Sequence, residues 1–180
     1  MKPKYRRDRL ITTAVMDASP LFASLILELA DKSPESHRNA ILGQSALPEF
    51  LMGNPTRQEN FVRLLRSIPN LLTTSHVIAE VNGLLKREHI RGERYRAFWT
   101  CGMDLLNARA LDERSLLRLL DMYVVSELKE GVCTLGPVDT ALIDLTRSEG
   151  ATLLTDDSTL AGRAWEIGVD CRLTSTLISM

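Results

Sequence analysis

A chain of 180 residues, 44% apolar and 25% charged, has the composition of an ordinary globular domain, which excludes a disordered tail and a disulfide-stapled miniprotein. Its 22 basic and 23 acidic residues leave a formal charge of −1 and a pI near 6.3, which excludes the bulk basic field of a polyanion-coating protein. Cys101, Cys133 and Cys171 show no CxxC or Cys/His ligand spacing, so they read as reduced thiols in a cytoplasm and zinc ligation is not expected.

The first nine residues carry Lys2, Lys4, Arg6, Arg7 and Arg9 against Asp8 alone, leaving 17 basic and 22 acidic residues in the rest of the chain. Two roles fit this arm at 1–9: contact with nucleic-acid phosphates, or a solvated terminus that stabilises nothing. The apolar stretch that follows imitates a signal peptide. Asp17 and Pro20 interrupt it and no small-x-small site follows, so export is not expected. No segment reaches the ~18 uninterrupted apolar residues of a membrane span, and the expected location is cytoplasmic. Residues 10–180 read as one domain.

Residues 10–16 (LITTAVM) form the first expected strand, ending at Asp17, and apolar spacings of three and four mark a helix over 20–31. Taken alone, Asp17 reads first as a cap of that helix, a role Ser19 could share. Residues 33–57, with Pro34, Gly43, Pro48, Gly53 and Pro55, read as a loop-rich insertion. A helix over 60–66, a strand over 70–73 (NLLT) and a helix over 77–89 follow, with Ser75 as the expected N-cap. Glu80 has two readings of equal weight. It faces back toward the strand end among Val77, Ile78 and Val81, where a charge must be paired or hold a cation, or it is one of many surface glutamates.

A helix over 95–105 carries Tyr95, Phe98 and Trp99, which read as a packing face with solvated Arg94 and Arg96 rather than a stacking platform. Lys86, Arg87, Arg91 and Arg94 make a second positive region, equally explained as a solvated helix end. His37, His76 and His89 show no partner arrangement. Then come the weakest strand, 108–111, and a helix over 113–127. Gly136-Pro137-Val138-Asp139 opens a helix over 140–149, Gly150 closes it, 151–155 (ATLLT) is a strand ending in Asp156 and Asp157, and a helix over 160–167 leads to a strand over 169–173 (VDCRL).

Strands alternating with helices predict a three-layer α/β/α sandwich around a mainly parallel five-stranded sheet. Ligands of open parallel sheets bind outside the carboxyl ends of the strands, where Asp17, Asp156 and Asp157 stand and where the start of the Asp139 helix also falls. Carboxylates gathered within a few ångströms repel unless a cation neutralises them. Oxygen-only donors suit Mg²⁺ or Mn²⁺.

The series VMDAS (Asp17), TTSHVIAEV (Glu80) and GPVDTALIDLTRSEGATLLTDDSTL (Asp139, Asp157) resembles the acidic tetrad of PIN-domain ribonucleases, the fold of VapC-type toxins. Its most specific part is the 18-residue step from Asp139 to Asp157, ending in Thr-x-Asp, and the match runs from about Leu10 to Leu173. The 63 positions from Asp17 to Glu80 exceed the toxins' usual spacing, with the surplus in 33–57, and the basic arm is additional.

The resemblance implies that Asp17, Glu80, Asp139 and Asp157 are catalytic, metal-binding carboxylates, with Ser19 and Thr155 in support and Asp156 as a reserve ligand. It implies hydrolysis of RNA phosphodiester bonds with Mg²⁺ or Mn²⁺ activating a water. It also implies an antitoxin protein as a partner if the chain is a toxin, and a homodimer. The alternative is a catalytically silent PIN fold serving as an RNA-binding or protein-interaction module. Other Mg²⁺ enzymes fit less well: no DxDxT follows the first strand, and neither a P-loop nor a GxGxxG is present.

Overall fold

Uncharged runs such as TAVM and TLLT become strands because every side chain can be covered. The computed structural model describes residues 10–35, 47–87, 91–93, 95–100 and 135–179. The chain proceeds through β1 (Thr13–Met16), α1 (Ala18–Lys32), α2 (Pro55–Ser67), β2 (Asn70–Leu72), α3 (Ser75–Arg87), α4 (Pro137–Ser148), β3 (Thr152–Thr155), α5 (Ser158–Glu166), β4 (Cys171–Leu173) and α6 (Thr174–Leu177). Residues 95–100 are also helical.

The strands form one parallel sheet in the order β2-β1-β3-β4. Val15 of β1 pairs with Leu72 on one side and Leu153 on the other, and Thr155 at the end of β3 pairs with Leu173. Five strands were expected and four are present among the described residues. The fifth, at 108–111, lies outside them, as do the helix over 113–127 and the basic arm with Lys2, Lys4, Arg6, Arg7 and Arg9.

Helix α1 is apolar almost all round, with Leu21, Phe22, Leu25, Ile26 and Leu29 buried, the pattern of a helix enclosed on most sides. It packs on α3, whose Val77, Val81 and Leu85 recur at four-residue spacing and are fully buried, and it reaches β3. Helix α4 lies against β1 and β3, and α5 against β3 and β4. No described helix is long and apolar enough to cross a membrane.

Helix starts depart from the periodic pattern because caps rather than apolar residues set them. Helix α1 begins two residues before the expected start, at Ala18, capped by Asp17, whose Oδ1 accepts from the Ala18 N–H at 2.6 Å. Asn54 caps α2 through a 3.0 Å bond from the Arg57 N–H, and Pro55 opens it, so the expected insertion over 33–57 gives up its last three residues to a helix. At α3 the cap is Thr74 rather than Ser75, its Oγ1 accepting from the Val77 N–H at 3.3 Å and its carbonyl from the Ile78 N–H at 3.1 Å. Gly136 precedes α4 at φ 85°, a backbone state costly for any side chain.

This geometry gathers four chain segments on one edge. Strands β1, β2 and β3 run the same way, so the residues after them share the carboxyl edge of the sheet. Helix α4 returns to the amino end of β3, which puts its own start, with Asp139, at that edge too.

Candidate active site

Asp17 follows the last residue of β1, held there by its N–H donating to the Leu154 carbonyl at 3.1 Å. Its two carboxyl oxygens are both engaged: Oδ1 by the Ala18 N–H, and Oδ2 by the Thr155 hydroxyl at 2.6 Å. The cap reading of Asp17 is thus observed, and the capping residue stands at the carboxyl edge of the sheet. Burial raises the Asp17 carboxyl above its ordinary 3.8; the bonds from Thr155 and Ala18 pull it down, and the Asp157 charge pushes it up.

Asp139 stands in the first turn of α4. A helix N-terminus favours a carboxylate, yet this group is pushed up to about 6. Burial is the largest cause, followed by the charges of Asp17, Asp157 and Glu80. The charges of Asp17, Glu80 and Asp157 are thus near enough to be felt at Asp139.

Glu80 is exposed on the second turn of α3. Of its two expected settings, the deeply buried one is corrected: Val77 and Val81 turn inward while Glu80 stays at the rim. Its charge is nevertheless felt at Asp139, so exposure and a place beside the acids go together.

The adjacent acids Asp156 and Asp157 separate clearly. Asp157 is exposed and caps α5, its Oδ1 accepting from the Thr159 N–H at 2.7 Å and the Leu160 N–H at 3.1 Å. Asp156 is half-buried, and its Oδ1 accepts from the Ser175 N–H at 2.9 Å. Burial raises the Asp156 carboxyl; the bonds from Ser175 lower it and the Asp17 charge raises it. Ser19, the other supporting residue, is half-buried in the first turn of α1.

Three buried threonines supply polar ties that the pattern of acids did not single out. The Thr73 hydroxyl donates to the Met16 carbonyl at 2.9 Å, joining the ends of β2 and β1 just before Asp17. Thr74 caps α3, and the Thr174 hydroxyl donates to the Thr155 carbonyl at 3.4 Å. Their one signal in the sequence is a hydroxyl residue directly after an apolar strand.

Among the described residues no three His, Cys, Asp or Glu side chains are already arranged to hold a metal ion. No protein-family model, curated protein or solved structure matches the chain.

Proposed function

We propose that this protein is a divalent-metal-dependent ribonuclease of the PIN type, with Asp17, Glu80, Asp139 and Asp157 as its catalytic carboxylates. The observation that carries the reading is Asp139, whose carboxyl is pushed up to about 6 partly by the charges of the other three acids. Asp17 and Asp139 are partly buried beside other acids, a cost that a bound cation would offset. In this reading the fold is the three-layer sandwich around a five-stranded sheet. RNA as substrate, an antitoxin partner and a homodimer come from the resemblance.

The donor set fits Mg²⁺ or Mn²⁺: it is all oxygen, acidic and partly exposed, and Mg²⁺ is commonly held through water by one or two carboxylates. Such an ion supplies Lewis-acid polarisation of the phosphodiester and activation of water. The chain's own residues do the rest. The Asp157 N–H donates to Thr155 Oγ1 at 3.0 Å, and the Thr155 hydroxyl in turn orients Asp17. The α5 cap fixes Asp157. Burial and the neighbouring charges push the Asp139 carboxyl up to about 6, and a cation held beside it would favour its ionised form.

The want of a ready three-ligand group among the described residues favours a second reading, the silent PIN-fold module. Cleavage of a pool of structured and single-stranded RNAs with Mn²⁺, Mg²⁺ or EDTA separates the two. Metal-dependent cutting by wild type, lost in Asp17→Asn and Asp139→Asn, is the expected result. A folded wild type that cuts nothing in any metal leaves the binding module.

A further inference from the structure

Asp156 sits beside Asp157 in sequence, carries the same group and lies near Asp17, so composition alone makes it an interchangeable ligand. Its surroundings say otherwise. Oδ1 accepts the Ser175 N–H at 2.9 Å. Oδ2 is enclosed by protein and has no hydrogen-bond partner among the described residues. Oδ2 is therefore closed to a cation arriving from solvent with its waters, and Oδ1 is turned to the Ser175 N–H. The acids that act most on Asp139 are Asp17, Asp157 and Glu80.

What Asp156 touches is α6. Ser175 lies in the first turn of that short helix, and the preceding Thr174, fully buried, donates its hydroxyl to the Thr155 carbonyl. Two bonds from consecutive residues of α6 thus hold consecutive residues of the β3 end, Thr155 and Asp156. The next residue is Asp157, whose N–H donates to Thr155 Oγ1, the hydroxyl that orients Asp17. We infer that Asp156 is a positioning residue: by binding the Ser175 N–H it anchors the β3 end to α6 and so sets where Thr155, Asp157 and Asp17 stand, without itself ligating a cation. The role as a positioner of catalytic acids rests on the nuclease reading; the anchor itself does not.

The test compares Asp156→Asn, which keeps an acceptor for the Ser175 N–H but loses the charge, with Asp156→Ala, which loses both. Two measurements are made on the full chain: Mn²⁺ affinity by calorimetry, and amide hydrogen exchange at Asp157 and Ser175 without metal. The Asn variant is expected to bind Mn²⁺ within about twofold of wild type, and the Ala variant about tenfold more weakly, the usual scale for losing an outer partner of a ligand. Exchange at both amides should rise in the Ala variant and stay near wild type in the Asn variant.

Equal loss of affinity in both variants would make Asp156 a ligand and overturn the inference. An Ala variant that melts earlier but keeps wild-type Mn²⁺ affinity and Asp157 protection would reduce it to a stability role, which also overturns it. A wild type that takes up no Mn²⁺ defeats the nuclease reading alone, and the exchange comparison then still decides the anchor.

Discussion

The Thr155 hydroxyl donates to Asp17 Oδ2 at 2.6 Å, joining the ends of two neighbouring strands across 138 positions of sequence. Thr155 Oγ1 also accepts from the Asp157 N–H at 3.0 Å, so one buried hydroxyl ties together two of the four acids. A single-donor group can serve both because it donates once and accepts once.

Replacing Thr155 with Val removes that hydroxyl at nearly constant volume. Asp17 Oδ2 and the Asp157 N–H then both lose a partner, and the expected loss of stability is about 1–3 kcal/mol, the range for stranding a buried polar group. Urea unfolding at pH 7 measures it, and Thr155→Ser should recover most of the loss.

Asp157→Ala and Asp157→Asn separate structure from chemistry. Alanine abolishes the α5 cap and should cost about 1 kcal/mol, whereas asparagine still caps and should cost little. Both should lower RNA cleavage by about 100-fold or more, the scale of losing one preorganised electrostatic group. Cleavage by Asp157→Asn at the wild-type rate would remove this carboxylate from the site.

Asp139 makes stability depend on pH in a direction opposite to that of a salt-bridged acid. Its carboxyl titrates near 3.8 when unfolded and at about 6 when folded, so between those values the folded chain holds more protons. Its contribution to stability therefore falls as pH rises from about 4 to 6 and is constant above that. Asp139→Asn should stabilise the metal-free protein at pH 7.5 by about 1 kcal/mol, well under the full shift because the half-exposed group is screened by water, and should have no effect at pH 3.5. Thermal melts at the two pH values give the comparison.

Divalent ions should raise the melting temperature of the wild type reversibly, with EDTA restoring the original value. At 100 times the dissociation constant the gain is about 2.7 kcal/mol. Asp17→Asn and Asp139→Asn should each lose most of it, and a wild type indifferent to Mn²⁺ and Mg²⁺ would favour the silent module.

Much of the scaffold was legible from local pattern. TAVM, NLL and TLLT stand out as strands because covered strands exclude charge, CRL carries its one charge at the sheet edge, and helices between them compel parallel pairing. Helix starts were less so: at Asp17, Asn54 and Thr74 a side-chain oxygen bonded to a nearby N–H extends the helix beyond its apolar stripe. The insertion over 33–57 overran for this reason, since Pro55 reads equally as a loop residue and as the first residue of a helix.

The amino-acid sequence by itself determined where the four described strands fall, though not their bounds, and that acids follow β1 and β3 at one edge, because burial and alternation are local properties. Tertiary structure alone decided the partners of each acid. The adjacent carboxyls of Asp156 and Asp157 are chemically identical in the sequence. They differ because α6, folding back from the end of the chain, presents the Ser175 N–H to one, while the start of α5 presents its own amides to the other. Likewise Glu80 lies at the rim of α3 yet acts on Asp139, 59 positions away, since electrostatic influence follows distance in space and desolvation, neither of which a linear spacing contains.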